Sequence, residues 1–199
     1  MRARQVSVLA VLACAVASGG FAEETRTVAA GPQFEAGGFH RFWFGGGYRD
    51  LWTTPIEVPV LDLQKTGGGL TPLRVVGQAQ GLGLAFKGAD GKAYTFRSLH
   101  KHPERMLPES LRDRWPAKIA QDQSSHTHPA AGLILTPLQQ AAGIAHTNPR
   151  LVVVPDDPAL GEFRKTFAGE FGTIDEFPLP GADGRPGFMG ATEIASTTA

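Results

Sequence analysis

The chain has 199 residues, with 19 Lys and Arg against 19 Asp and Glu, 42% apolar residues, 25 glycines, 15 prolines and one cysteine. This apolar content excludes a disordered polyampholyte and a membrane bundle, and the balanced charge argues against a general nucleic-acid binder, which carries a basic surplus. The abundance of Gly and Pro predicts short elements joined by many turns.

Arg2 and Arg4 precede an apolar run from Val6 to Ala17 and then small residues, the pattern of an export signal. The run is about a dozen residues, short of the roughly 20 that a spanning helix needs. Residues 1–22 are therefore read as a signal peptide cleaved after Gly20-Phe21-Ala22, and no other membrane span is expected. Val11-Leu12-Ala13-Cys14 loosely resembles a lipobox, which would leave a lipidated Cys14 instead. Either route predicts the periplasm or cell envelope. Cys14 is the lone cysteine, so an exported domain would rely on its core without disulfides.

Residues 23–37 are small and polar without an apolar period, and read as a linker ahead of a domain spanning 38–180. Phe39, Phe42, Trp43, Phe44, Tyr48 and Trp52 then crowd around Gly45-Gly46-Gly47, an aromatic cluster of the kind that anchors a segment onto a core. Val58 to Leu63 is extended, with Pro59 confining it to an edge or a strand start. Leu73–Val76, Leu82–Lys87 and Ala93–Leu99 are separated by glycine-bearing turns and predict a β-meander.

After Pro103 the pattern turns helical, with short helices expected from Pro108 and over 117–123. A clearer one covers 130–142, stopping at Gly143 and kinked or divided by Pro137. Leu151–Val154 predicts a buried strand ended by Pro155, with 171–177 as its partner across a turn and short helix around 158–167. Residues 181–199 read as a flexible tail. Strands, helices and two further strands predict an α+β fold: an antiparallel sheet with a few short helices.

The strongest chemical constellation is a glycine-bearing turn between two strands, followed by a third strand ending in cations. Gly77, Gly81 and Gly83, with Gln80 in the turn, would let backbone approach a phosphate closely. Alternation puts Arg97 and Lys101 on one strand face if extension persists through His100. A kinase amino lobe uses this layout, with an acid on the following helix holding the cation, and Glu109, Asp113 and Asp122 are the candidate acids. The alternative is that the glycines only shape hairpins and the cations are solvated, since no complete Gly-x-Gly-x-x-Gly or Walker run is present.

His100-Lys101-His102 and His126-Thr127-His128 each place two imidazoles two residues apart, a spacing one strand face could present to a metal ion. Neither pair has a carboxylate in a recognised ligand pattern, and hydrogen-bonding or solvated histidines are the competing account. Ser124-Ser125-His126 sets hydroxyls beside an imidazole in sequence only. Asp156-Asp157 before Pro158 suits a helix cap, and Asp175-Glu176 stands where a strand leaves the sheet.

Taken together, several segments resemble one known family. They are Arg41-Phe42-Trp43-Phe44-Gly45, Tyr48-Arg49-Asp50-Leu51-Trp52, Thr54-Pro55, Pro59 to Leu63 and Gly68-Gly69-Leu70-Thr71-Pro72. Tyr94 to Lys101, Gln121 to Ser124, His128-Pro129 and Val154 to Asp157 complete the set. The set resembles a kinase-like segment of bacterial outer-membrane-associated proteins that often also carry a calcineurin-like phosphoesterase or a surface-antigen β-barrel. The resemblance implies the amino lobe of an atypical kinase over roughly residues 38 to 195, with Lys101 or Arg97 contacting phosphate and Asp122 or Glu109 as the partner acid. It implies ATP with a divalent ion as ligand, and a second helical lobe carrying the catalytic loop. Gly81 and Gly83 depart from the hydroxyl residues expected in such a loop, and the given chain stops at Ala199 before any catalytic loop, so no turnover is expected of it alone. The expected partners are an envelope protein or that second lobe. An interaction module docking through the aromatic segment is the rival function, and a metal-dependent hydrolase built on the histidine pairs is a third.

Overall fold

The computed structural model describes residues 23–77, 80–181 and 186–194. The expected signal peptide, Cys14, the turn residues Gln78 and Ala79 and the end of the tail lie outside the described residues. The fold is α+β, as the order of elements predicts. A main antiparallel sheet holds β3 (Leu70–Val76), β4 (Gly81–Gly88), β5 (Ala93–Lys101), β6 (Arg150–Val153) and β7 (Phe171–Phe177) in the order β3-β4-β5-β7-β6. A second sheet pairs β1 (Thr25–Val28) with β2 (Ile56–Pro59). A parallel bridge between Val60 and Val153, with Leu61 N donating to Val153 O, joins the two sheets at the β6 edge.

The meander forms because its sequence alternates. Leu84 and Phe86 on β4, Phe96 on β5 and Ile174 on β7 point to one face and are fully or almost fully buried. They pack against Leu61, Leu63, Val154, Leu160 and Phe167 from the segments that cross that face. Burying each such side chain contributes roughly 1.5–3 kcal/mol. The intervening residues, Gly83, Ala85, Thr95 and Arg97, share the opposite face, where Gly83 stands across from Arg97 and Ala85 across from Thr95.

Two irregularities break this register. On β3, Pro72 pairs with Phe86 but Arg74 with Ala85, so Leu73 is an extra, bulged residue. Between β4 and β5, Gly83 faces Arg97 but Gly81 faces Lys101, so β5 accommodates two more residues than regular pairing allows.

Helices α1 (Gly38–Phe44), α2 (Arg49–Thr53), α3 (Trp115–Gln123), α4 (Ala131–Ala141) and α5 (Arg164–Phe167) are short. Asp157 caps the 3-10 turn at Pro158 by accepting from Ala159 N at 2.7 Å, as its position before proline suggests. Gly143 takes φ 67° just beyond α4.

Three features go beyond the sequence reading. Residues 23–37 are not a bare linker: β-branched Thr25, Thr27 and Val28 form β1 against β2, and Phe34 is buried against Trp52 with ring centroids 5.1 Å apart. Pro137 does not divide α4, which continues through it, and no side chain of that helix is buried. The segment 186–194 folds back on the chain, with Phe188 N donating to Leu179 O and Gly181 N to Ala191 O. Among the described residues no helix is long and apolar enough to cross a membrane.

Candidate functional site

The open face of the sheet gathers most of the expected site residues. Gly77, Gln80, Gly81, Gly83, Arg97 and Lys101 line one cavity of about 760 Å³. Its floor is the row Gly81, Gly83 and Ala85 on β4, where small side chains leave the backbone uncovered. At the far end Ala93, Phe177 and Leu179 make an apolar wall where β7 leaves the sheet.

The glycines differ in what they permit. A Cβ on Gly83 would come within 2.8 Å of Phe96 O and 2.9 Å of Val76 Cγ2, so a side chain there would push β5 and β3 away. Gly77 turns the chain out of β3 with φ 71°, a conformation that L side chains rarely adopt. Gly81 faces open space. Gln80 lines the cavity, and its amide donates to Met106 Sδ.

Arg97 and Lys101 share the cavity and stand opposite Gly83 and Gly81. Arg97 has one acid beside it: Nη1 lies 3.6 Å from Oδ2 of the buried Asp175, which also accepts from Thr147 Oγ1 at 3.0 Å. Sequence reasoning missed a third cation, Arg74, which also lines the cavity. The available clue was Pro72, since proline inside a strand pattern marks an edge or a bulge. The described lining contains three cations and no carboxylate.

Asp122 sits elsewhere. It accepts from Arg49 Nη1 at 2.8 Å and Nη2 at 2.7 Å, and lies 3.0 Å from His40 Nε2. Burial alone would raise its pKa, but hydrogen bonds from Arg49 and His40 outweigh that and hold its carboxyl below the usual carboxylate range. Arg49 is 1% exposed, so this acid neutralises a buried guanidinium that ties α2 to α3 and does not reach the sheet cations. Glu109 and Asp113 are exposed.

The histidine pairs do not form one site. His100 and His102 lie with ring centroids 4.6 Å apart and planes tilted by 31°, His102 Nδ1 lying 3.0 Å from Glu104 Oε1. His128 instead packs against Tyr48, and His126 lies under Gly45 and Gly47. Among the described residues no three His, Cys, Asp or Glu side chains gather to hold a metal. Ser125 is fully buried, its hydroxyl 3.5 Å from Nδ1 of the adjacent His126.

The aromatic segment divides. Trp52 is 1% exposed and donates from Nε1 to Thr127 O at 2.8 Å, whereas Phe39, Phe42 and Trp43 on α1 are 81%, 79% and 67% exposed.

Chemically, the cavity suits an anion attached to an apolar body: cations flank the floor, and an apolar wall closes the far end. The described lining offers cations for an anion and no carboxylate for a metal ion. Comparison with family models, curated proteins and solved structures finds no match to this chain.

Proposed function

We propose that this is an exported, envelope-located domain equivalent to the amino lobe of a kinase-like protein, and that its open sheet face binds a nucleotide or a related phosphate compound. The observation carrying this is the convergence of Gly77, Gly81, Gly83, Arg97 and Lys101 on one cavity with no carboxylate in its described lining. A glycine-bearing turn above a cation on the third strand is the arrangement by which kinase amino lobes cover and contact phosphates. The base or ring would lie toward Phe177 and Leu179, and the phosphates toward Arg97 and Lys101. The function proposed is binding; no reaction step is assigned to these residues.

Thermal unfolding with millimolar ATP, with and without Mg²⁺, tests it. A ligand at 100 times its Kd stabilises by about 2.7 kcal/mol, a readily measured shift. No shift for the wild type would remove the proposal, while loss of the shift in Lys101→Ala with unchanged folding would support the cation's role.

A second function is favoured by one observation, the exposure of Phe39, Phe42 and Trp43 on a helix that buries none of its residues. Contiguous exposed aromatics mark docking surfaces. In this account the domain is a non-catalytic envelope module, and Phe42→Ser with Trp43→Ser would abolish recovery with the envelope fraction while leaving nucleotide effects intact.

A further inference from the structure

We infer that Arg74 is a third ligand-contacting cation of the open slot and makes it selective for anions of high charge. This rests on the anion-binding function proposed above and adds to it a residue and a class of ligand.

The bulge at Leu73 decides which way Arg74 faces. Continuing the pairing of Thr71 with Lys87 and Pro72 with Phe86 would bring Arg74 opposite Leu84, which is fully buried in the core. The extra residue instead sets Arg74 opposite Ala85, on the cavity floor, and Arg74 lines the cavity. Bulges re-aim side chains in this way beside binding sites.

The second irregularity acts at the other end. Regular pairing would place Leu99 opposite Gly81; the extra residues of β5 bring Lys101 there. Lys101, Arg97 and Arg74 therefore flank Gly81, Gly83 and Ala85, three alternate positions on one strand. Steps of two residues are about 6.7 Å, so the three cations attend a floor about 13 Å long. Arg74 approaches from β3 and the other two from β5, which surrounds a ligand from both sides. A monophosphate can meet one or two of these charges. A di- or triphosphate can meet all three, so each added phosphate should tighten binding.

The experiment is calorimetric titration of AMP, ADP and ATP, at one fixed ionic strength, into the wild type, Arg74→Ala and Arg74→Lys. Arg74 is exposed, and an unchanged thermal midpoint verifies that each variant folds. Wild-type affinity is expected to rise from AMP to ATP. Arg74→Ala should weaken ATP about tenfold, equivalent to about 1.4 kcal/mol, and AMP by less than about threefold. Arg74→Lys should retain the rise. If Arg74→Ala leaves all three affinities unchanged or lowers them by one common factor, the role given to Arg74 is overturned while the anion site stands. If the wild type binds none of the three, the anion site itself falls.

Discussion

Arg97 on β5 and Asp175 on β7 are diagonal neighbours across the sheet, their charged groups 3.6 Å apart, and the arginine is half-exposed while the acid is buried. An anion in the slot must share Arg97 with this internal carboxylate. At 3.6 Å and with the guanidinium half in solvent, the pair contributes about 0.2–1 kcal/mol. Asp175→Asn should therefore tighten ATP binding by up to about fivefold, because it frees Arg97 and removes a like charge while an oxygen remains to accept from Thr147. Calorimetry decides the sign: weaker binding in the variant would mean that Asp175 orients Arg97 and does not compete for it.

The two glycines of the slot floor should respond oppositely to one methyl group. Gly83→Ala forces a Cβ against Phe96 O and Val76 and should cost roughly 1–3 kcal/mol in urea unfolding. Gly81→Ala meets open space and should be neutral or stabilise by about 0.4–1 kcal/mol, through a less disordered unfolded chain. Equal losses in both variants would contradict the register that separates them.

Acid should loosen the junction of α2 with α3. The Asp122 carboxyl is depressed in the fold, so its stabilising effect is present above its unfolded value, near 4, and lost as pH falls through the folded value. Asp122→Asn leaves Arg49 buried without its counter-charge and should cost about 3 kcal/mol at neutral pH. Unfolding measured from pH 7 down to about 3 should show the gap between wild type and variant narrowing. A gap that widens in acid would refute the linkage.

Substitutions on α1 should be almost silent for folding. Phe42→Ser and Trp43→Ser replace side chains that are 79% and 67% exposed, and each should change stability by less than about 0.5 kcal/mol. A loss near 2 kcal/mol would show that these rings serve the core and would remove the basis for docking through them.

Local chemistry made much of this fold legible. The glycine-bearing turns between 73–76, 82–87 and 93–99 marked the meander, Asp157 before Pro158 marked a capped turn, and Gly143 marked the end of α4. Non-local pairings were hidden. Thr25–Val28 becomes a strand only because β2 lies about thirty positions away in sequence, and Asp122 meets Arg49 across a separation of 73. At the site, Arg97 and Lys101 were readable because alternation assigns them to one face, and Gly83 because a glycine beside a turn leaves backbone open to a ligand. Arg74 was not, since simple alternation from Pro72 puts it in the core and only the extra Leu73 turns it outward.

The borders of the main sheet also limit how this protein can associate. Along β3, Pro72 offers no amide hydrogen and the kink beside it disturbs the row of free backbone groups; along β6, residues 60 and 61 already occupy part of the margin. Neither border is a clean template for a foreign strand. Polymerisation by strand addition to the main sheet is therefore disfavoured.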